Sequence, residues 1–201
     1  MKKGLLVVIS GPSGAGKGTI YKIVTAKLPE MFKSVSVTTR EPRPGEIPDV
    51  TYYYRTEEEF QKMFERGEFL ETAQVYDHHY GTPAAPIIDA VEKGSDVIFE
   101  IDVQGAKNVK KIYPDSVLIF IMPPSFEILE QRLRSRNTET AESLELRINS
   151  ARAELSEYKH FDYFVVNDVV EVAANEVLEI LNGEKCAIKR NVDFIEDLLN
   201  K

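Results

Sequence analysis

The chain has 201 residues, 43% of them hydrophobic and 29% charged, with a formal net charge of −8, a composition that fits one compact globular domain able to bury a core. The acidic balance excludes broad nucleic-acid binding, which runs on an excess of basic side chains, and no apolar run approaches the ~20 residues that span a bilayer. One cysteine, Cys186, excludes an internal disulfide and fits a reducing cytosol, and with three histidines it leaves too few ligands for a structural zinc site.

The N-terminal Met-Lys-Lys-Gly leads directly into Leu5-Leu-Val-Val-Ile9, so a strand is expected with no removable signal before it, and a cytoplasmic location with it. Next come Gly11-Pro12-Ser13-Gly14-Ala15-Gly16-Lys17-Gly18-Thr19 and a helical pattern carrying Ile20, Ile23, Val24 and Leu28. Strand, glycine loop and helix together form the context of a phosphate-binding loop. Its backbone N–H groups turn inward around an anion, the helix N-terminus adds partial positive charge, and Lys17 reaches the β- and γ-phosphates. The bland alternative, a turn joining strand to helix, does not need this full spacing. The pattern departs at Gly18, where Ser or Thr is usual, so the Mg²⁺-directed hydroxyl falls to Ser13 or Thr19, or to water.

Ser34 to Thr38 alternates as a strand and runs into a Pro/Gly-rich loop over Thr39 to Glu46. Val50 to Tyr54 reads as a further strand. Thr56-Glu-Glu-Glu59 is a capping box for a helix with Phe60, Met63 and Phe64 inward, stopped at Gly67. Phe69 to Val75 is expected extended and Asp77 to Thr82 as a turn. A helix from Ala84 to Lys93 ends at Gly94. Val97 to Asp102 and Val117 to Ile121 are continuously apolar in the manner of parallel strands covered on both faces, with a helix between them. After Pro123-Pro124, Ser125 caps a helix to about Arg136. A longer helix is expected over Ala141 to Tyr158, a strand over Phe164 to Val166, and helices over Val169 to Leu181 and Val192 to Leu199. This pattern gives an α/β fold: a doubly wound parallel sheet around a P-loop, with a small sheet-rich insertion and a helical lid. The expected divisions are 1–33, 84–123 and 164–201 for the core, 34–83 for the insertion and 124–163 for the lid.

Positive charge is concentrated. Of ten arginines, Arg132, Arg134, Arg136, Arg147 and Arg152 fall within 21 residues, and Arg40 and Arg43 form a second pair, which suggests one anion-filled cleft. For Arg134 and Arg152, helix-surface pairing with nearby glutamates is the competing explanation.

Ser36-Val-Thr-Thr-Arg40-Glu-Pro-Arg43-Pro-Gly-Glu46, Phe69-Leu-Glu71, Tyr80-Gly-Thr82, Ile101-Asp-Val-Gln-Gly105 and Arg136-Asn-Thr-Glu-Thr140 resemble the signature segments of guanylate kinases, in order and at the family's spacing. The resemblance covers residues 5 to 182 and implies transfer of the γ-phosphoryl group of ATP to GMP or dGMP, with Mg²⁺ accompanying the ATP. It implies a GMP site of Ser36, Arg40, Arg43, Tyr52, Glu71, Tyr80, Thr82 and Glu100. Arg40, Arg43, Tyr52 and Tyr80 would hold the GMP phosphate, the arginines as bidentate forks. Glu71 would accept the paired N1–H and N2–H₂ donors of guanine. Asp102 resembles the acidic residue that manages Mg²⁺ through its waters. Arg132, Arg136 and Arg147 match the lid arginines, of which Arg136 and Arg147 join Lys17 and Arg43 in catalysis. Asn167 matches the position bordering the donor adenine, and with Arg132, Arg136 and the glycine loop it completes the ATP site. His79 stands where tyrosine is usual, and Glu100 where some members carry aspartate.

The residues support this chemistry in their own right, because phosphoryl transfer needs two phosphates held in line and their charge neutralised. Two readings compete. A peptide-binding guanylate-kinase-like module would have an eroded phosphate loop, whereas Lys17, the loop glycines, Arg43 and Arg147 are all present. A kinase for another small phosphate acceptor would not need the Glu71, Ser36 and Thr82 set. The oligomeric state stays open, a homodimer included.

Overall fold

The computed structural model describes residues 3–43, 45–75, 77–135 and 141–200. The first strand, β1 (Leu6–Ser10), is buried along its whole length. It lies at the centre of a five-stranded sheet with β7 (Val97–Glu100) on one side and β8 (Val117–Met122) on the other. Short β2 (Phe32–Lys33) and β9 (Tyr163–Val166) form the edges, and every pairing is parallel.

Helices cover both faces, which is why the central strands are apolar without alternation. On one face α1 (Lys17–Lys27) and α7 (Val170–Cys186) bury Ile20, Val24, Ala173 and Val177 against Val7, Ile9, Ile98 and Ile119. On the other, α3 (Ala84–Glu92) and α4 (Val103–Ile112) bury Ile87, Ala106 and Val109 against Leu6, Val8, Phe99 and Leu118. The chain leaves β1 at the point where its neighbours lie to either side, and a crevice at the carboxyl ends of such strands is where doubly wound sheets bind ligands.

A second sheet, ordered β4-β3-β6-β5, is built from β3 (Val37–Thr38), β4 (Tyr53–Tyr54), β5 (Phe69–Val75) and β6 (His78–Pro83). Helix α2 (Glu57–Glu65) starts at the expected capping box, with Thr56 and Glu59 exchanging both hydrogen bonds. Helices α5 (Phe126–Arg134) and α6 (Ala141–Ser156) share a small core of Leu129, Leu133 and Ala151. The Arg152 guanidinium lies 4.1 Å from the centre of the Phe126 ring, a cation–π contact between the two helices. Helix α8 (Val192–Leu199) closes the described chain with no buried residue. Among the described residues no helix is long and apolar enough to cross a membrane.

Several elements differ from the sequence expectation. The strand expected over residues 34–38 is split: residues 32–33 pair in the first sheet and 37–38 in the second, so 34–36 cross between sheets. Of residues 50–54 only Tyr53 and Tyr54 pair as a strand, because Asp49 takes a left-handed turn at φ 63°. The turn expected over 77–82 is strand β6, whose polar residues are accommodated by antiparallel pairing with β5. Phe64 is 53% exposed rather than inward; on α2 Phe60 is buried and Met63 half-buried. Asp102 does not continue β7; it caps α4 by accepting the Gly105 N–H at 2.8 Å, the better use of a short carboxylate at a helix start. Helix α5 ends at Arg134, α6 gives way to a short 3₁₀ turn at Glu157, and α7 runs on to Cys186.

Candidate active site

The glycine loop joins β1 to α1 as its sequence requires. Gly14 and Gly16 turn it with φ of 86° and 87°, and the amide of Ala15 reaches the Pro12 carbonyl at 3.2 Å. Lys17 opens α1, and its Nζ donates to the carbonyls of Gly11 and Pro12 at 2.6 and 3.0 Å. The ammonium is thereby stored across the mouth of the loop. Gly18, the departure from the usual pattern, has a local reason: a Cβ there would stand 3.2 Å from Oε2 of Glu100. The missing side chain lets a carboxylate from the end of β7 approach the start of α1.

Asn167 follows β9 and is buried, donating through Nδ2 to the Ala15 carbonyl at 2.7 Å. Its own carbonyl accepts Nη2 of Arg132 at 3.0 Å. The second terminal nitrogen of Arg132, Nη1, is buried without a hydrogen-bond partner among the described residues. A buried guanidinium nitrogen in that state is suited to an arriving anion. Helix α6 reaches the same loop from the lid, with Glu154 Oε2 accepting the Ser13 amide at 3.0 Å. Arg147, half-buried, precedes Glu154 on α6 by seven residues and so shares its side of the helix. Arg136 lies outside the described residues, as does the segment through Thr140.

The acceptor side is built on the second sheet. Glu71 on β5 and Thr82 on β6 are directly paired, and both are buried. The Thr82 hydroxyl donates to Glu71 Oε1 at 2.6 Å, and Ser36 Oγ lies 3.5 Å from Thr82 Oγ1. Burial pushes the Glu71 carboxyl up to about 7; the Thr82 hydrogen bond opposes that shift and the negative charge of Asp102 adds to it. A buried carboxylate in this state is costly and gains from donors that arrive together.

Arg40, Tyr52 and Tyr80 also converge. Arg40 Nε donates to the Tyr80 hydroxyl at 3.1 Å, and the guanidinium lies 5.4 Å from the Tyr52 ring centre. Tyr52 and Tyr80 meet edge to face at 6.0 Å. The Arg40 fork does not stand open as the sequence led us to expect. Its two terminal nitrogens grip Glu46 at 3.0 and 2.8 Å. Glu46 also accepts the Arg43 amide at 2.7 Å and the Tyr54 hydroxyl at 2.8 Å. The Arg40 fork and the Arg43 amide hold the Glu46 carboxyl down at about 2. In return Glu46 and Tyr80 raise Arg40, against the opposing effect of burial. Arg40 thus orders the loop, while the exposed Arg43 side chain remains at its rim.

Sequence reasoning missed two participants. Glu46 belonged to a recognised motif without a role; the signal was a buried arginine six residues before it that required a partner. Glu154 carried no local signal, since only the tertiary fold brings α6 to the loop. Among the helix arginines, Arg134 makes the expected surface pair with Glu130, whereas Arg152 packs on an aromatic ring. His79 stacks on Phe60 with ring centres 5.3 Å apart and binds Glu57 through Nδ1 at 2.8 Å. It supports the base of the second sheet.

Comparison with known proteins points to one family. The family model described as guanylate kinase matches residues 3–184. A guanylate kinase of Clostridioides difficile (strain 630) is 47% identical over 195 residues, covering 97% of this chain and 95% of its own length. One from Caldanaerobacter subterraneus subsp. tengcongensis is 48% identical over 193 residues, covering 96% and 94%. Among solved structures, guanylate kinase from Anaplasma phagocytophilum superimposes with a TM-score of 0.77 at 35% identity, over 94% of this chain and 90% of that one.

Proposed function

This chain belongs to the guanylate kinase family, and we infer from its site how it carries out that chemistry. It transfers the γ-phosphoryl group of ATP to GMP, giving ADP and GDP. The observation that carries the acceptor assignment is Glu71: a buried carboxylate, braced on one oxygen by Thr82, at the inner end of the second sheet. Guanine presents two adjacent donors, N1–H and N2–H₂, that such a group accepts together, while adenine presents an acceptor at N1. The Ser36 and Thr82 hydroxyls complete the base edge. Because this set reads the base and not the sugar, dGMP is an acceptor too.

In this scheme the loop amides from Gly11 to Thr19, with Lys17, hold the ATP phosphates, and Arg132 and Asn167 border the donor side. Lys17 leaves the Gly11 and Pro12 carbonyls to meet the β- and γ-phosphates. Arg43, Tyr52 and Tyr80 hold the acceptor phosphate, and Arg40, already locked on Glu46, fixes the Tyr80 hydroxyl through its oxygen so that the hydroxyl proton is free to point at an anion. Arg136 and Arg147 enter with the lid and stabilise charge on the transferring group. Glu100 faces the acceptor side at the end of β7.

Mg²⁺ accompanies the ATP. Among the described residues no group of three or more metal-binding side chains is gathered in one place, and Asp102 already spends an oxygen on its helix cap. Asp102 and Glu100, close in sequence at the end of β7, are the carboxylates that would hold such an ion through its waters. When bound, it would supply charge neutralisation to the ATP phosphates.

We further propose three bodies, with boundaries near 33/34, 83/84, 123/124 and 163/164, that close on the two nucleotides, and a cytoplasmic setting where ATP and GMP are at hand. A coupled ADP-release assay with GMP, dGMP, AMP, UMP and CMP tests the assignment. Turnover confined to GMP and dGMP is expected; equal turnover of AMP or a pyrimidine nucleotide would overturn it.

A further inference from the structure

We infer that Gly105 is a positioning residue for base recognition: by carrying no Cβ it fixes where the second oxygen of Glu71 stands, and so sets how strongly the enzyme prefers GMP to a purine acceptor without the 2-amino group. The inference rests on the reading of Glu71 as the group that binds guanine.

Gly105 is the third residue of α4, after the Asp102 cap. Glycine is a poor helix former, and nothing in the local backbone asks for it, because Gly105 is not among the glycines with positive φ. Nor does its amide serve Glu71, since that N–H donates to Asp102 Oδ1 at 2.8 Å. What the position does require is space. A Cβ on Gly105 would stand 2.7 Å from Glu71 Oε2, with Glu71 Cδ and Ile101 Cδ1 each at 3.3 Å. No real Cβ tolerates the first of these contacts.

The Glu71 carboxylate is therefore set from both ends. Thr82 holds Oε1 at 2.6 Å, and the bare backbone of α4 admits Oε2. Helix α4 cannot retreat, because Ala106 and Val109 are fully buried against the central sheet. The tip of a glutamate is the part free to turn. A methyl group at position 105 is accommodated by rotating the carboxylate, with Oε1 kept on Thr82 and Oε2 swung away. Such a carboxylate still accepts one donor of the base but no longer meets N1–H and N2–H₂ as a pair. Inosine monophosphate, which has N1–H and no 2-amino group, loses less.

The test is kcat/KM for GMP and inosine monophosphate in wild type, Gly105→Ala, Glu71→Gln and the double variant, with KM for ATP and Tm recorded for each. For Gly105→Ala we expect a fall in kcat/KM for GMP of about ten- to a hundredfold, the loss of one hydrogen bond to a charged group. The GMP preference over inosine monophosphate should shrink with it, while KM for ATP is unchanged and Tm is equal or higher, as alanine in a helix predicts. In the Glu71→Gln background the same substitution should add little. Equal losses for both acceptors with a lowered Tm would make Gly105 merely structural and overturn the inference. A wild-type preference in Gly105→Ala, with Glu71→Gln altered, would refute the role of Gly105 alone. A wild-type preference in Glu71→Gln would remove the base-reading role of Glu71 and this inference with it.

Discussion

At the scale of single residues, the proposed chemistry falls chiefly on two groups, Lys17 and Glu71. Lys17 rests on the carbonyls of its own loop, so its position at the start of α1 is preformed. Lys17→Ala should abolish phosphoryl transfer without unfolding the protein, since the interaction strengthens as charge develops on the γ-phosphate; a Tm scan beside the ADP-release assay checks both halves. Glu71 is the second. With its carboxyl pushed up to about 7, the free enzyme carries a proton there in acid and can then accept only one guanine donor. We expect kcat/KM for GMP to fall about tenfold per pH unit below that value, following the free-enzyme group. The sign for stability is opposite. A folded-state carboxyl raised above its unfolded value of 4.5 contributes stability at low pH that is lost as pH rises through about 7. Melting curves of the nucleotide-free enzyme should show this decline in wild type and lose it in Glu71→Gln. How much of this was legible follows the residues. The glycine loop and Lys17 were readable because fixed local spacing is their signal; Glu71 and Thr82 entered through the family resemblance, and their pairing across β5 and β6 was not foreseen because Asp77 to Thr82 was expected as a turn. The Glu46 lock on Arg40 was not, because the side-chain geometry of a Pro/Gly-rich loop is set by tertiary contacts.

At the scale of elements, the buried strands β1, β7 and β8 were legible because a two-sided environment leaves continuous apolar runs. The second sheet was less so. Its β3 and β4 are two residues long, and β6 carries His78 and His79, which sequence reads as turn residues. Its order comes from pairing with β5 and from the Phe60–Phe69 stack at 4.7 Å, and neither contact has a local signature. Helix α6 carries the functional asymmetry of the lid. On our proposal Arg147 acts in the closed state, so its loss should lower kcat by as much as ~10³-fold while sparing KM for GMP; a variant defective only in GMP binding would move Arg147 to the acceptor site. Glu154 accepts the Ser13 amide at 3.0 Å, a donor that an incoming phosphate would compete for. Glu154→Ala should tighten ATP binding by about two- to fivefold, the net worth of one such hydrogen bond, with GMP binding unchanged by titration calorimetry. Weaker ATP binding would instead make Glu154 part of the donor site.

At the scale of the whole molecule, a doubly wound core carries the glycine loop, and we propose that the second sheet and the α5–α6 pair form two attached bodies, one to read the base and one to bring arginines. Each body has its own small core: Leu129, Leu133 and Ala151 in the lid, and the Phe60–Phe69 stack under the second sheet. Such bodies move as units. Small-angle scattering should show contraction when both nucleotides, or a bisubstrate analogue, are added, and an unchanged radius at saturation would mean that the enzyme is already closed. At the centre of this proposal, the Glu71 carboxylate reads guanine while the glycine loop holds the ATP that supplies the phosphoryl group. The measurement that reaches it most directly is kcat/KM for GMP, inosine monophosphate and AMP in wild type and Glu71→Gln. In wild type, inosine monophosphate should lose about ten- to a hundredfold against GMP, the cost of one unpaired buried oxygen, and AMP should lose more, because its N1 acceptor faces the carboxylate. The variant should weaken GMP and narrow the gap to AMP; if it keeps the wild-type order and ratios, another group reads the base and the account is wrong.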